Sequence, residues 1–151
     1  MMTSRRDALK HSARLAALLG ATGLFPQYSA AFNKSAFDAK SVSDALKALG
    51  LGAPTETSSI TLQAPDIAEN GAVVPIGAAT TLAGVRQVLF LVEKNHYVLV
   101  AAFNLSDSVD ANILTRTKMA ESSYVYAAAV MNDGKVLFAK KEVKVTAGGC
   151  G

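Results

Sequence analysis

Cys150 is the residue of this sequence best suited to covalent chemistry, because it carries the only thiol in the chain. It lies among glycines near the carboxyl end, in the stretch VTAGGCG at residues 145–151. A thiol reacts as its thiolate, and with an ordinary pKa of about 8.5 only a few per cent is ionised at neutral pH. Glycines cannot bury a structural cysteine, but they leave the backbone free to adopt many conformations. The pattern predicts an accessible thiol on a flexible arm, to which Gly148, Gly149 and Gly151 give the flexibility.

Few other residues could support catalysis. His96 is the only histidine beyond the first 31 residues, and it falls in a predicted hairpin turn. Asp107 and Asp110 flank a predicted loop, where aspartate is common for turn geometry alone. One cysteine and one histidine provide no spacing for a transition-metal site, and no glycine-rich loop precedes a helix as a nucleotide site requires. The sequence therefore predicts a protein that is not an enzyme and binds no metal and no cofactor.

The amino-terminal segment has the pattern of an export signal. Arg5 and Arg6 in SRRDALK resemble the twin-arginine signal, with Ala8 where that signal usually has a phenylalanine. The apolar run that follows, at 15–25, is 11 residues long. A membrane-spanning helix needs about 20. The segment therefore predicts export by the twin-arginine pathway without a membrane anchor.

The small residues Ser-Ala-Ala at 29–31 offer a signal-peptidase site, which predicts a mature chain that starts at Phe32. Residues 1–31 are thus predicted to be a twin-arginine signal peptide, and the mature protein to be periplasmic. The alternative for this segment is an amphipathic N-terminal helix. Secreted chains usually pair their cysteines in the oxidising periplasm. A single cysteine there indicates either an intermolecular disulfide or a reactive thiol, and both remain open for Cys150.

The charge of the chain is concentrated in the leader. Residues 1–31 hold four of the 15 basic residues and one of the 12 acidic residues, which leaves 11 of each in residues 32–151. A formally neutral domain has no basic stripe of the kind that binds nucleic acid, and no polybasic patch for a membrane surface. The mature chain is therefore predicted to bind neither.

Turn and cap residues divide the mature chain into elements. Apolar positions from Ser35 onward fall largely on one helical face, and Gly50 and Gly52 are predicted to end that helix. The sequence Asn-Asp-Gly at 132–134 predicts a hairpin, because such a turn needs a positive φ. One short N-terminal helix is therefore expected, with a β-rich region after it.

The rest of the mature chain consists of short β-rich runs with no predicted helix between them. This arrangement predicts an all-β fold, an immunoglobulin-like antiparallel β-sandwich of about seven strands. We expect the sandwich domain to cover residues 32–146 and the flexible arm, AGGCG, to cover residues 147–151. The predicted strands lie at residues 60–63, 72–76, 85–93, 97–104, 113–119, 124–131 and 135–146.

The carboxyl end, EVKVTAGGCG at residues 142–151, resembles the SoxY family, the sulfur-carrier subunits of bacterial thiosulfate oxidation. The family typically ends with two glycines after the cysteine, whereas only Gly151 follows here. His96 and Tyr97 also stand where the family has a proline-containing turn. Four further stretches are similar to the family: DALKALG at 44–50, IAENGAVVPI at 67–76, FLVEKN at 90–95 and TRTKM at 115–119.

The resemblance implies a sulfur carrier rather than an enzyme. A c-type cytochrome would couple thiosulfate oxidatively to Cys150, a manganese hydrolase would release sulfate, and a molybdenum sulfur dehydrogenase would oxidise the remaining sulfur. Cys150 would hold each thiosulfate-derived intermediate covalently while the partners act on it. The alternative function is a periplasmic immunoglobulin-like structural or assembly module, dimerised through an intermolecular disulfide.

The resemblance also implies a heterodimer with SoxZ, a second immunoglobulin-like subunit. Two apolar runs, VLVAAF at 98–103 and YVYAAAV at 124–130, are more continuously apolar than half-exposed strands need to be. They are explained equally well by a surface that binds a partner and by strands buried on both faces within one sandwich.

Overall fold

A computed structural model describes residues 33–149 of the chain. Two short helices precede nine strands in this part of the protein. The helices are α1 (Lys34–Phe37) and α2 (Val42–Ala48). The strands are β1 (Thr55–Glu56), β2 (Ile60–Gln63), β3 (Ile67–Ala68), β4 (Val74–Thr80), β5 (Val85–Val92), β6 (Leu99–Asn104), β7 (Asn112–Thr117), β8 (Ser123–Met131) and β9 (Val136–Val145).

The strands form two sheets. The larger sheet has the order β1-β9-β8-β5-β6, with β3 also paired to β9, and the smaller sheet has the order β2-β4-β7. The seven predicted strands are all present, and every pairing among them is antiparallel. The two-residue strands β1 and β3 were not predicted, and both pair with β9 in parallel. The predicted sandwich is confirmed, with these two additions at the edge that β9 offers.

The main core lies between the two sheets. Phe90 on β5 is fully buried there, and its ring meets that of Phe103 edge-on with the centroids 6.1 Å apart. Met119, just after β7, is also fully buried in this core. On β9, Val143 is buried while Lys144 is exposed, as the alternating pattern predicts for a strand with one packed face. The last strand is thereby held in register up to the point where the C-terminal segment leaves it.

A second core covers the other face of the larger sheet. Ala45 and Leu46 of α2 pack there against Leu89 and Leu91 of β5. All four side chains are at most 3% exposed. The larger sheet is therefore a middle layer, with the smaller sheet on one side and the helices on the other.

This layering explains the continuous apolar run at 124–130. Ala127 belongs to the core between the sheets, and the next residue, Ala128, belongs to the core beneath the helices. Strand β8 is thus buried on both faces within its own domain. The run at 98–103 forms the edge strand β6, where Leu99 is buried on the helix side and the following residues are partly buried. Of the two explanations left open by the sequence, the structure supports burial within the domain for β8.

The single helix predicted from Ser35 is two helices, which corrects that prediction. Asn33 caps α1 by accepting the Ala36 N–H, and Ser41 caps α2 by accepting the Asp44 N–H, each at 3.1 Å. A cap at Ser41 needs an extended backbone, which interrupts the helical run. Gly50 ends α2 with a φ of 71°, as predicted. Neither helix in residues 33–149 is long and apolar enough to cross a membrane.

The predicted hairpin at 132–134 joins β8 to β9. Gly134 has a φ of 86° and donates its N–H to the carbonyl of Met131 at 3.0 Å. Only Gly134 has a positive φ in this loop, so the turn is a type I turn followed by a left-handed glycine. The N–H of Lys135 donates to the Asp133 carboxylate, and this bond lowers the pKa of Asp133.

Candidate functional site

The predicted site is the segment that leaves β9 and leads to Cys150. The described residues end at Gly149, so Cys150 and Gly151 lie outside them, as do Arg5, Arg6 and the whole predicted leader. The residues that precede Cys150 show how the segment leading to the thiol is held by the domain.

The end of β9 is held on both sides. The N–H of Val145 donates to the hydroxyl of Ser122 at 2.9 Å. On the other side, β3 pairs with β9 and the N–H of Thr146 donates to the Ala68 carbonyl at 3.1 Å. The hydroxyl of Thr146 donates to the carbonyl of Glu69 at 3.3 Å. The strand's hydrogen bonding thus continues one residue beyond its last paired position.

Beyond Thr146, three backbone segments close on one another. The N–H of Gly71 donates to the Ala147 carbonyl at 2.7 Å, and the N–H of Met119 donates to the Gly71 carbonyl at 2.7 Å. The N–H of Gly149 then donates to the Met119 carbonyl at 3.0 Å. We call this arrangement the backbone clamp: residues 71–72 and 119–120 of the domain closing on residues 147–149 of the C-terminal segment.

The clamp leaves no room for side chains on its glycines. A Cβ on Gly71 would lie 2.7 Å from the Gly149 nitrogen and would also meet the Met119 carbonyl oxygen. A Cβ on Gly149 would lie 2.6 Å from the backbone of Ala72, and one on Gly148 would meet the Ala120 carbonyl oxygen. These are backbone atoms, which cannot rotate aside.

The same glycines do not have the backbone conformation that usually explains a glycine. The described glycines with positive φ are Gly50, Gly84 and Gly134, and none of them is in the clamp. The clamp glycines are required by space, since the backbones approach too closely for a side chain. The sequence predicted flexibility at Gly148 and Gly149, and the structure adds that they fit against the domain. The flexibility of the arm stays a prediction.

Asn95 supports the clamp from the loop between β5 and β6. Its side-chain amide donates to the Lys118 carbonyl at 2.7 Å and accepts the Ala120 N–H at 3.3 Å. The two bonds flank Met119, whose N–H and carbonyl both belong to the clamp. Sequence reasoning missed Asn95 and Gly71 as site residues, although both lie in stretches that carry the family resemblance. A polar residue and a glycine within those stretches were the available signal.

The clamp is built from uncharged groups. In the described part of the chain, the hydrogen bonds of residues 146–149 are made with backbone atoms of the domain. The ion pair in its neighbourhood, Lys94 with Glu121 at 3.9 Å, is exposed on both sides. The clamp can therefore hold a peptide segment through backbone contacts alone.

The other candidate residues are not gathered into a site. His96 is exposed in its predicted turn, where Nε2 lies 2.9 Å from Lys40 Nζ and the ring packs edge-on against Tyr97. Asp107 and Asp110 lie in the loop that follows β6, at the opposite end of that strand from His96. Across residues 33–149, no three or more histidine, cysteine or carboxylate side chains are grouped to hold a metal ion.

The fold and the site together define an immunoglobulin-like sandwich domain with a thiol-bearing C-terminal segment. The chain belongs to the family of sulfur oxidation protein SoxY, whose model matches residues 46–150. The match includes the sandwich, the clamp and Cys150. The resemblance seen in the sequence is thereby confirmed.

Solved structures agree. The sulfur carrier protein SoxY from Chlorobium limicola f. thiosulfatophilum is 31% identical, with a TM-score of 0.60 over 68% of this chain and 94% of that one. A variant of the superoxide reductase (neelaredoxin) from Ignicoccus hospitalis is 14% identical with a TM-score of 0.52, over 58% of this chain and 79% of its own. The second likeness concerns the fold alone. Comparison with curated protein sequences gives no significant match.

Proposed function

We propose that this protein is a sulfur carrier of thiosulfate oxidation, which holds sulfur intermediates covalently on Cys150 and presents them to partner enzymes. The observation that carries the proposal is the family match over residues 46–150, which reaches the only thiol of the chain. The 31% identity to a protein described as a sulfur carrier supports it. The alternative, a structural module dimerised through Cys150, shares the thiol but leaves this family match unexplained.

The proposed chemistry begins with an oxidation. The Cys150 thiol and thiosulfate join through a new S–S bond to give Cys–S–S–SO3⁻, and one proton and two electrons leave. A c-type cytochrome accepts the electrons. Water then cleaves the bond between the outer sulfur and the sulfonate group, which releases sulfate and leaves a persulfide on Cys150. A manganese hydrolase catalyses this second step. A molybdenum sulfur dehydrogenase then oxidises the persulfide sulfur to a sulfonate, with water as the source of the oxygen atoms; protons are released, and the electrons pass to a c-type cytochrome.

The carrier itself contributes delivery, not catalysis. An ordinary thiol, with a pKa of about 8.5, is only a few per cent thiolate at neutral pH. Activation is then the task of each partner's active site. A weakly ionised thiol is also slower to oxidise between encounters, because oxidation follows thiolate character.

The proposal places the carrier in the periplasm, as a heterodimer with a SoxZ-like subunit. Residues 1–31 would direct export by the twin-arginine pathway, which transports folded proteins. A partner without its own signal could therefore cross with this chain. The thiol would then be in the same compartment as the cytochrome and the hydrolase.

Mass spectrometry of the protein from its native host, grown on thiosulfate, tests the function. We expect a family of sulfur adducts on Cys150, including the persulfide and the S-thiosulfonate, and their removal by a reducing agent. Growth without a reduced sulfur source provides the control, in which the unmodified thiol should dominate. A disulfide-linked dimer as the sole modification would refute the carrier function and support the structural module.

Export can be tested separately. We expect the double substitution Arg5→Lys and Arg6→Lys to block periplasmic accumulation, because the resemblance to the export signal depends on that arginine pair. The change is a matched one, since lysine keeps the basic character of the segment. Fractionation and immunoblotting measure the outcome, with Lys10→Arg as the control that leaves the pair intact. Normal periplasmic levels of the double variant would contradict the assignment.

A further inference from the structure

We propose that the backbone clamp docks the residues leading to Cys150 against the domain between encounters with partners, and that Gly71 and Asn95 are the positioning residues of this docked state. The inference rests on the proposed carrier function and deepens it, because it assigns how the arm is held between encounters with partners. The residues that carry the inference precede the thiol, and the structure describes them as far as Gly149.

The docked and the released arm differ in reach. In the docked state the chain is fixed as far as Gly149, so only one Cα–Cα step of about 3.8 Å separates the cysteine from the last held residue. When the clamp opens, the last held residue is Thr146, and the freed chain from there to the cysteine can span roughly 13–14 Å at full stretch. Delivery of the sulfur into an enclosed active site needs the longer reach. The docked arm is therefore a resting state, and partners must engage the released one.

Gly71 is explained by docking of the arm but not by flexibility of the arm alone. A flexible spacer, or a thin thread for a channel, requires glycines in the arm but places no demand on the domain. Gly71 belongs to the domain, is buried, and has no space for a Cβ because the Gly149 nitrogen and the Met119 carbonyl oxygen are too close. The fit is thus mutual, with glycines on both sides of the contact.

Asn95 fixes the other half of the clamp. Its two hydrogen bonds hold the backbone on either side of Met119, while the Met119 side chain is fully buried in the core. The Met119 carbonyl that accepts the Gly149 N–H is therefore held rigidly in place. Loss of the Asn95 side chain should loosen that acceptor without disturbing the packing between the sheets.

Hydrogen exchange of single backbone amides, followed by NMR on the full chain, tests the clamp directly. We expect the Gly149 amide of the wild type to exchange at least about tenfold more slowly than in an unstructured peptide. Gly71→Ala and Asn95→Ala should each remove most of that protection. The amide of Leu89, a fully buried residue of strand β5, should remain slow in both, which shows that the fold persists.

Two matched glycine substitutions serve as controls. Gly52→Ala adds a methyl group in open space at an ordinary φ, and Gly134→Ala introduces strain in a turn at the far end of β9. Both should leave the Gly149 protection at the wild-type level. If Gly134→Ala also removed it, the protection would report global stability, and the clamp would be refuted.

Each remaining outcome is decisive. Exchange of the wild-type Gly149 amide at the rate of a free peptide would overturn the docked state, and full protection in Asn95→Ala would overturn its positioning role. Should Gly71→Ala fail to fold, Asn95→Ala alone decides. The exchange experiment needs no sulfur donor, so a clamp without sulfur adducts would refute the carrier function alone, and adducts without protection would refute the clamp alone.

Discussion

Cys150→Ser is expected to abolish sulfur loading completely while the free energy of unfolding changes by less than about 1 kcal/mol. Loading requires a sulfur nucleophile, and no other residue of the chain has a thiol. The clamp ends at Gly149 and uses backbone atoms, so an oxygen in place of sulfur at the next residue removes no described contact. This variant should therefore lose sulfur loading while it keeps the stability of the wild type.

The measurement combines loading by thiosulfate and the cytochrome, read by intact mass, with denaturant unfolding. A relocated thiol provides the sharpest control: Cys150→Ser together with Ser108→Cys places one cysteine on an exposed loop of the sandwich. We expect this protein to react with iodoacetamide but to remain unloaded, because the thiol is no longer on the arm. A loss of stability well above about 1 kcal/mol in Cys150→Ser would show that the cysteine is a structural residue.

The fold could be predicted from the sequence because its strands carry strong local signals. Alternation in β9 and the turn at Gly134 fix one hairpin, and continuous apolar runs mark β5 and β8. Strands β1 and β3 are two residues each, too short to produce any pattern, and they exist only because β9 offers them a partner. The break before Ser41 was missed because the apolar spacing continues across it. Strand β8 is buried on both faces because α2 covers one of them. The sequence of β8 does not show where α2 lies, so it could not distinguish this burial from a surface that binds a partner.

The site could be predicted from the sequence only in part, for a physical reason. Cys150 stands out by residue type alone, and the family resemblance assigns it a function. The clamp joins Gly71, Asn95, Met119 and Gly149, which are distant in sequence and meet only in the folded domain. A glycine required for a close backbone approach looks in the sequence like a glycine required for flexibility. Only the positions of the facing carbonyl groups distinguish the two.

That ambiguity makes the double substitution Gly148→Ala and Gly149→Ala the most informative change in the arm. We expect loading by the cytochrome to fall by roughly 10²-fold, the order of loss that a small misplacement of a reacting group can cause. The rate of alkylation of Cys150 by iodoacetamide should not fall, since the two substitutions leave the thiol itself unchanged and the reagent is small. Two added methyl groups widen the arm and restrict its backbone, which hinders entry into a close-fitting channel.

The same substitution also opens the clamp, because each new Cβ would collide with backbone of residues 72 or 120. Gly71→Ala separates the two effects, since it undocks the arm and leaves the arm itself unchanged. We expect Gly71→Ala to keep its loading rate within a few-fold of wild type, which would assign the loss in the double variant to the partner's channel. Equal losses in both variants would instead show that partners recognise the docked arm. Unchanged loading in the double variant would show that its glycines serve the clamp and not the channel, because an arm with two methyl groups would then still enter every partner.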